Sequence, residues 1–290
     1  MKNKNKAIVL MLISALGFAL MSTFVKLAGD LPSIEKSFFR NFISLIVATY
    51  IIIRSKASFV GKSENRRALI FRSLFGTLGI IANFYAIDHL ILADANMLNK
   101  LSPFFVIIFS FIFLKEKISN KQIFALVIAF SGSLFIIKPT FSVEMLPAII
   151  GISSAIFAGA AYTFVRYLGG KEKGATIVFM FSAFSCITTL PLVILNFKIP
   201  SLTQLIYLLL AGVCASSSQF ALTEAYKNAP AKEVSIYDYS QIIFSAIIGF
   251  IIFNQIPDYL SIIGYIFIIG ASIYMFFYNK KSASSVTTSK

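Results

Sequence analysis

Tryptophan is absent from the 290 residues, histidine occurs once, cysteine twice, and only 12 residues are acidic. Each scarcity closes off a class of function. The single histidine, His89, and the two separated cysteines leave no cluster of metal ligands, so no metal and no cofactor is expected. Cys186 and Cys214 lie in apolar runs and read as buried free thiols rather than a disulfide framework. The chain offers no paired intramembrane aspartate and no activated serine or cysteine arrangement, which argues against an enzyme. Charged residues make up 13% of the chain, too few to cover a soluble domain of this length.

What the chain has in quantity is apolar surface: 58% hydrophobic residues, 31 phenylalanines and a mean hydropathy of +0.83. An all-α integral membrane protein follows. A span needs about 20 mostly apolar residues, and ten runs qualify: 7–28, 37–54, 68–87, 92–114, 120–138, 146–167, 174–195, 203–226, 233–253 and 258–278. The tail 279–290, rich in Ser, Thr and Lys, is expected to be disordered and cytoplasmic.

The net charge of +14 is dispersed through short connections rather than gathered into a face, which argues against a nucleic-acid partner. It reads as a topology signal instead. With the N-terminus cytoplasmic, 19 basic residues lie in inner segments, among them Lys2, Arg54, Lys115, Lys171 and Lys280. Only four, Lys26, Lys36, Lys138 and Lys198, lie outside. That bias puts both termini in the cytoplasm and requires an even number of spans.

Internal repetition supplies the architecture. Thr23-Phe24-Val25-Lys26 recurs as Thr163-Phe164-Val165-Arg166 at a shift of 140 residues. At a shift of 138, Lys100 falls opposite Asp238 and Gly132 opposite Gly270. Two copies of an odd number of spans insert in opposite orientations, so the expected fold is two inverted five-helix repeats, 1–140 and 141–278. Such an architecture places a small-molecule site at the repeat interface near the midplane. The expected partners are therefore the lipid bilayer and a small solute, with the protein a monomer or homodimer.

Candidate site residues are polar groups at membrane depth, which are costly unless paired or in a wet cavity. Ser235, Asp238, Gln241, Ser245 and Gly249 recur at helical spacing in the ninth span. Lys100 and Asp238, equivalent under the repeat, are offset by roughly 10 Å along the membrane normal at 1.5 Å per residue. A stretched lysine closes that gap; so does a zwitterion with its carboxylate toward Lys100 and its amine toward Asp238. A structural ion pair and a pair opened by substrate both remain open. Asn83, Asn96, Asn99 and Gln219 join the candidates because a lipid-facing amide goes unpaired. Tyr162, Tyr237 and Tyr239 offer ring faces to a cation, and Asp238 and Glu224 are candidates for proton coupling. Pro103 predicts a kink in the fourth span. For Arg40, Arg72, Lys26 and Arg166, near span ends, snorkelling to the headgroups is sufficient.

These residues carry a resemblance. Arg40 in FFRNF, Arg72 and Gly76 in RRALIFRSLFGTLG, and the half-ending pieces FLKEKIS and FNQIPD are similar to the drug/metabolite transporter superfamily, in its EamA branch. Within that branch, Tyr237-x-Tyr239 with SAI, FIIFN and Pro257-Asp258 most resembles bacterial S-adenosylmethionine and riboflavin uptake carriers. Those carriers usually place arginine between the two aromatics, where this chain has Asp238. The resemblance implies a bacterial inner-membrane transporter whose spans one, three, four, six, eight and nine line a central cavity. Transport of a zwitterionic or cationic, amino-acid-like or S-adenosylmethionine-like metabolite by alternating access is the expected function. An amino-acid or drug exporter of the same superfamily, or a membrane channel or receptor, are the alternatives.

Overall fold

The computed structural model describes residues 4–115, 118–138, 145–228 and 235–287, and among these the regular structure is entirely helical. Eleven α-helices follow in chain order: α1 Lys4–Leu27, α2 Ser33–Ser55, α3 Arg66–His89, α4 Leu92–Asn99, α5 Ser102–Leu114, α6 Asn120–Ile137, α7 Leu146–Leu168, α8 Gly174–Leu195, α9 Leu202–Asn228, α10 Ser240–Phe253 and α11 Tyr259–Thr287. At about 1.5 Å per residue, the longer ones cross about 30 Å of hydrocarbon. Among the described residues, nine segments are long and apolar enough to span a membrane, α4 and α5 counting as one, and Tyr237–Phe253 forms a shorter tenth.

The packing inverts the soluble pattern. Large apolar side chains such as Ile187, Ile194, Leu195, Ile251 and Ile266 point outward, while Ala, Ser, Thr and Gly fill the contacts between helices. Lipid is as apolar as leucine, so close backbone approach and hydrogen bonds, rather than burial of leucines, hold the helices together. Gly132 on α6 and Gly264 on α11 show this best. A Cβ on Gly264 would come within 2.6 Å of the Gly132 carbonyl oxygen.

The helix contacts are themselves twofold symmetric. α1 packs along α9 as α3 packs along α7; α2 meets α9 as α8 meets α3; and α5 meets α7 as α10 meets α1. α2 with α8, and α6 with α11, sit across the axis from one another. The pieces FLKEKIS and FNQIPD end their helices alike, with Lys115 and Asn254 in the left-handed region at φ 54° and 50°. Reciprocal capping by Ser119 and Gln122 starts α6, and Ser201 and Gln204 exchange the same pair of bonds at α9.

Two spans differ from expectation, and at equivalent places. The fourth is broken into α4 and α5, with Lys100 and Leu101 in the turn between them. Pro103 lacks the N–H that would bond the Asn99 carbonyl, so the chain tightens to three-residue bonds such as Leu101 N–H to Leu98 O. The ninth is not one α-helix either: Ser235–Tyr239 is a 3-10 turn ahead of α10. The expected disordered tail also differs, because α11 runs on to Thr287; the stretch after Tyr278 has no glycine or proline to stop it.

Candidate functional site

Both breaks open onto one cavity of about 580 Å³. Residues of α1, α3, α4, α7, α9, α10 and the 3-10 turn line it, and so do α2 and α8, which were not expected there. Its wall continues to Ile51, Val165, Gly174 and Ala175, near the ends of α2 and α7 and the start of α8 on the face that carries the chain termini.

The two charged residues at the breaks meet: Lys100 Nζ and Asp238 Oδ2 form an ion pair. Their side chains are 12% and 26% exposed, so the pair sits at the cavity wall rather than sealed in the core. Broken helices make this geometry available, because a residue in a turn can project into a lumen that an intact helix would block.

Asn96, one turn before the break, is a hub. Its Oδ1 accepts from Ser22 Oγ on α1 and Gln241 Nε2 on α10, both at 3.0 Å. Its Nδ2 donates to the Leu92 carbonyl at 2.9 Å and to Ser245 Oγ at 3.0 Å. Asn99 Nδ2 donates to Ser154 Oγ on α7 at 3.1 Å. Asn83, Tyr162 and Gln219 line the same cavity, and Tyr162 is half exposed. Of the sequence candidates, then, Lys100, Asp238, Asn83, Asn96, Asn99, Tyr162, Gln219 and Gln241 come together.

Three candidates lie elsewhere. Tyr237 packs with Ala7, Met11 and Ala225 between α1 and α9. Tyr239 turns toward α11, where its hydroxyl accepts from Ser272 Oγ at 2.6 Å and donates to the Lys100 carbonyl. Glu224 is outside the cavity lining and accepts from Asn228 Nδ2 at 3.3 Å on its own helix. The 3-10 turn accounts for the tyrosines: at three residues per turn, both neighbours of Asp238 swing away from the lumen.

The cavity also holds Arg40 and Arg72, for which snorkelling was the expectation. Their guanidinium carbons stand 5.8 Å and 3.9 Å from the centroid of the Phe181 ring. Arg40 Nη1 donates to Asn41 Oδ1 at 2.6 Å. Arg40 lies seven residues inside α2, a depth of about 10 Å; that depth was the available signal. Asp94 was missed as well. It is buried and accepts from Tyr265 Oη at 2.6 Å and Ser261 Oγ at 3.2 Å, tying α4 to α11. Lys26, another snorkelling candidate, instead donates to the Ile87 carbonyl at 2.8 Å and the Leu90 carbonyl at 2.5 Å.

Comparison with known proteins agrees with the geometry. The model of the EamA-like transporter family matches twice, over residues 5–138 and 145–277. The pseudopaline exporter CntI of Pseudomonas aeruginosa (strain UCBPP-PA14) is 34% identical over 269 residues, covering 92% of this chain and 94% of that protein. The S-adenosylmethionine uptake transporter of Rickettsia bellii is 27% identical over 281 residues, covering 95% and 94%. Solute carrier family 35 member G1 of Homo sapiens is 26% identical, covering 90% and 76%. One crystal structure superposes with a TM-score of 0.66 at 13% identity, covering 96% of this chain and 99% of the other, a likeness of fold alone.

Proposed function

Because the chain belongs to the EamA-like transporter family, we propose that it is a secondary carrier for a small zwitterionic, amino-acid-like metabolite. The observation that carries this reading is the Lys100–Asp238 pair, held at the breaks of two equivalent spans and facing the cavity. A solute with adjacent carboxylate and amine replaces each partner of the pair with an equal charge, so the pair opens without stranding either ion. A purely cationic solute fits less well, because Arg40, Arg72 and Lys100 outnumber Asp238 around the lumen.

The two-repeat fold supports alternating access. The distribution of basic residues supports a topology with both termini inside, and the bacterial relatives favour a bacterial cytoplasmic membrane. The identity to the pseudopaline exporter, higher than to the uptake transporters, favours efflux.

Counterflow in proteoliposomes tests the reading. Labelled neutral and acidic amino acids and S-adenosylmethionine are offered to vesicles preloaded with the same solute. Accelerated exchange is expected for an amino-acid-like solute, with Lys100→Ala and Asp238→Asn each inactive at unchanged expression. Wild-type rates in either variant would remove the pair from the site. Absence of exchange for every solute would remove the carrier reading itself.

A further inference from the structure

Unmet hydrogen-bonding capacity is concentrated in one part of the cavity. Among the described residues, seven buried side-chain polar atoms have no partner, and five of them belong to cavity-lining residues. Three are guanidinium nitrogens: Arg40 Nε, Arg72 Nε and Arg72 Nη1. Another is the hydroxyl of Ser182, one residue after Phe181. None of the ion pairs found among the described residues includes either arginine.

Two like charges on one phenyl ring repel, and buried N–H donors left empty are costly. The ring face recovers part of that cost for Arg72. It leaves the in-plane donors vacant, and these are the ones that form a fork to a carboxylate. The arrangement is also braced. Asn41, which holds Arg40 Nη1, itself donates from Nδ2 to Ser185 Oγ at 2.8 Å. Gly76 keeps the space open, since a Cβ there would approach Phe181 Cε2 to 2.8 Å.

We propose that Arg40 and Arg72, with the Ser182 hydroxyl, form an anion subsite that takes a second carboxylate of the solute. The solute class is then acidic: an amino dicarboxylate or a related polycarboxylate. The charged groups lining the cavity are Arg40, Arg72 and Lys100 against Asp238, a net of +2. A simple zwitterion satisfies Lys100 and Asp238 and leaves both arginines without an anion; an additional carboxylate shared between them lowers the net charge to +1, and a further one brings it to zero. Tyr162 lines the same cavity. That a transported solute occupies the subsite rests on the carrier reading, but the subsite itself is tested by binding alone.

The test uses the purified full-length protein in detergent, with melting followed against millimolar succinate, L-glutamate, inorganic phosphate and putrescine. Succinate and glutamate are expected to raise the melting temperature and putrescine to leave it unchanged. Arg40→Gln and Arg72→Gln should each weaken dicarboxylate binding by about ten- to a hundredfold. They should melt no lower than wild type without ligand, because an unpaired buried charge has been removed. A merely structural pair of arginines predicts the reverse: a lower melting point and no change in anion binding. Should a glutamine variant fail to fold, Arg72→Lys keeps the charge and loses the fork, and weaker dicarboxylate binding is expected there too. No dicarboxylate effect in wild type, equal binding by wild type and variants, or phosphate matching the dicarboxylates would each overturn the assignment. Dicarboxylate binding without counterflow would instead overturn the carrier reading and leave the subsite standing.

Discussion

Replacing Asn96 with leucine tests whether the hub beside the break holds the two repeats together. The side chain is 2% exposed and makes three bonds to other helices, to Ser22, Gln241 and Ser245, besides the one to Leu92 within α4. Leucine keeps the branch at Cγ and leaves no cavity, but it is the larger side chain, so any overpacking adds to the polar loss. Soluble-protein reasoning, at about 1–3 kcal/mol for each stranded group, would predict outright unfolding. In a bilayer the separated helices also find polar partners, and interhelical bonds average about 0.6 kcal/mol. Three of them give about 2 kcal/mol. Ser22 retains the Phe18 carbonyl at 3.1 Å as a second acceptor, so most of the loss falls on α10.

Two measurements check this. Reversible unfolding in mixed micelles, or steric trapping in bicelles, should show Asn96→Leu less stable by about 2 kcal/mol. Gln241→Leu should lose part of the same energy, and the double variant should cost less than the sum because both residues share one oxygen. A loss below about 0.5 kcal/mol, or strict additivity, would refute the hub as a source of stability.

Gly264→Leu should separate α6 from α11, since the neighbouring atom is the Gly132 backbone and cannot swing away; a loss of about 1–3 kcal/mol is expected in the same unfolding assay. Asp258 lies in the loop before α11, where its bond from Lys138, then the Ser261 N–H, hold its carboxyl below the usual range. A depressed folded value contributes stability above the unfolded pKa near 4 and loses it as pH falls through the folded value. Lys138→Met should therefore raise the Asp258 titration midpoint, read by carboxyl NMR; an unmoved midpoint would show that the ion pair does not form in solution. Asp88→Asn removes one side of the Lys36 pair, and a cysteine at Asn83 should then become more reactive toward a membrane-impermeant thiol reagent added from the face opposite the termini. Unchanged reactivity would exclude that pair as a closure.

The spans were legible because apolar run length is a property of sequence alone, and the match between Lys100 and Asp238 because duplication leaves a register. The breaks were only half legible. Pro103 announces one; nothing local announces the 3-10 turn at 235–239, which depends on how the chain packs against α1. Depth along a helix can be counted from its ends, but the direction a side chain faces depends on what surrounds the helix. For that reason Arg40 and Arg72, deep but near the span ends, read as snorkelling. Tyr237 and Tyr239 read as lumenal for the complementary reason: their neighbour Asp238 was.

The symmetry of the fold makes its departures from symmetry informative. On the face opposite the termini, α2 and α3 are locked by Lys36 to Asp88 at 2.5 Å and Ser33 to Asp88 at 3.2 Å. Lys26 caps the end of α3, and Gln255 Oε1 accepts from the Leu92 N–H at 3.0 Å, closing α4 against the loop after α10. Shifted by 140 residues, Lys36 and Asp88 become Thr176 and Asn228. Thr176 donates to the Ser58 carbonyl and Asn228 to the Glu224 carbonyl of its own helix, so the corresponding closure on the terminal face has no ion pair at these positions. A pair as buried as Lys36 with Asp88 is costly to split, by several kcal/mol when one charge is stranded. The cavity lining reaches the helix ends on the terminal face, while this ion pair lies on the opposite face. On the alternating-access reading proposed above, an equilibrium with a state open on the opposite face requires a contact that offsets the loss of this pair. A solute that neutralises the lumenal charge and draws α2, α3 and α8 together around it is the kind of contact that shifts such an equilibrium, since only differential binding to the two states does so.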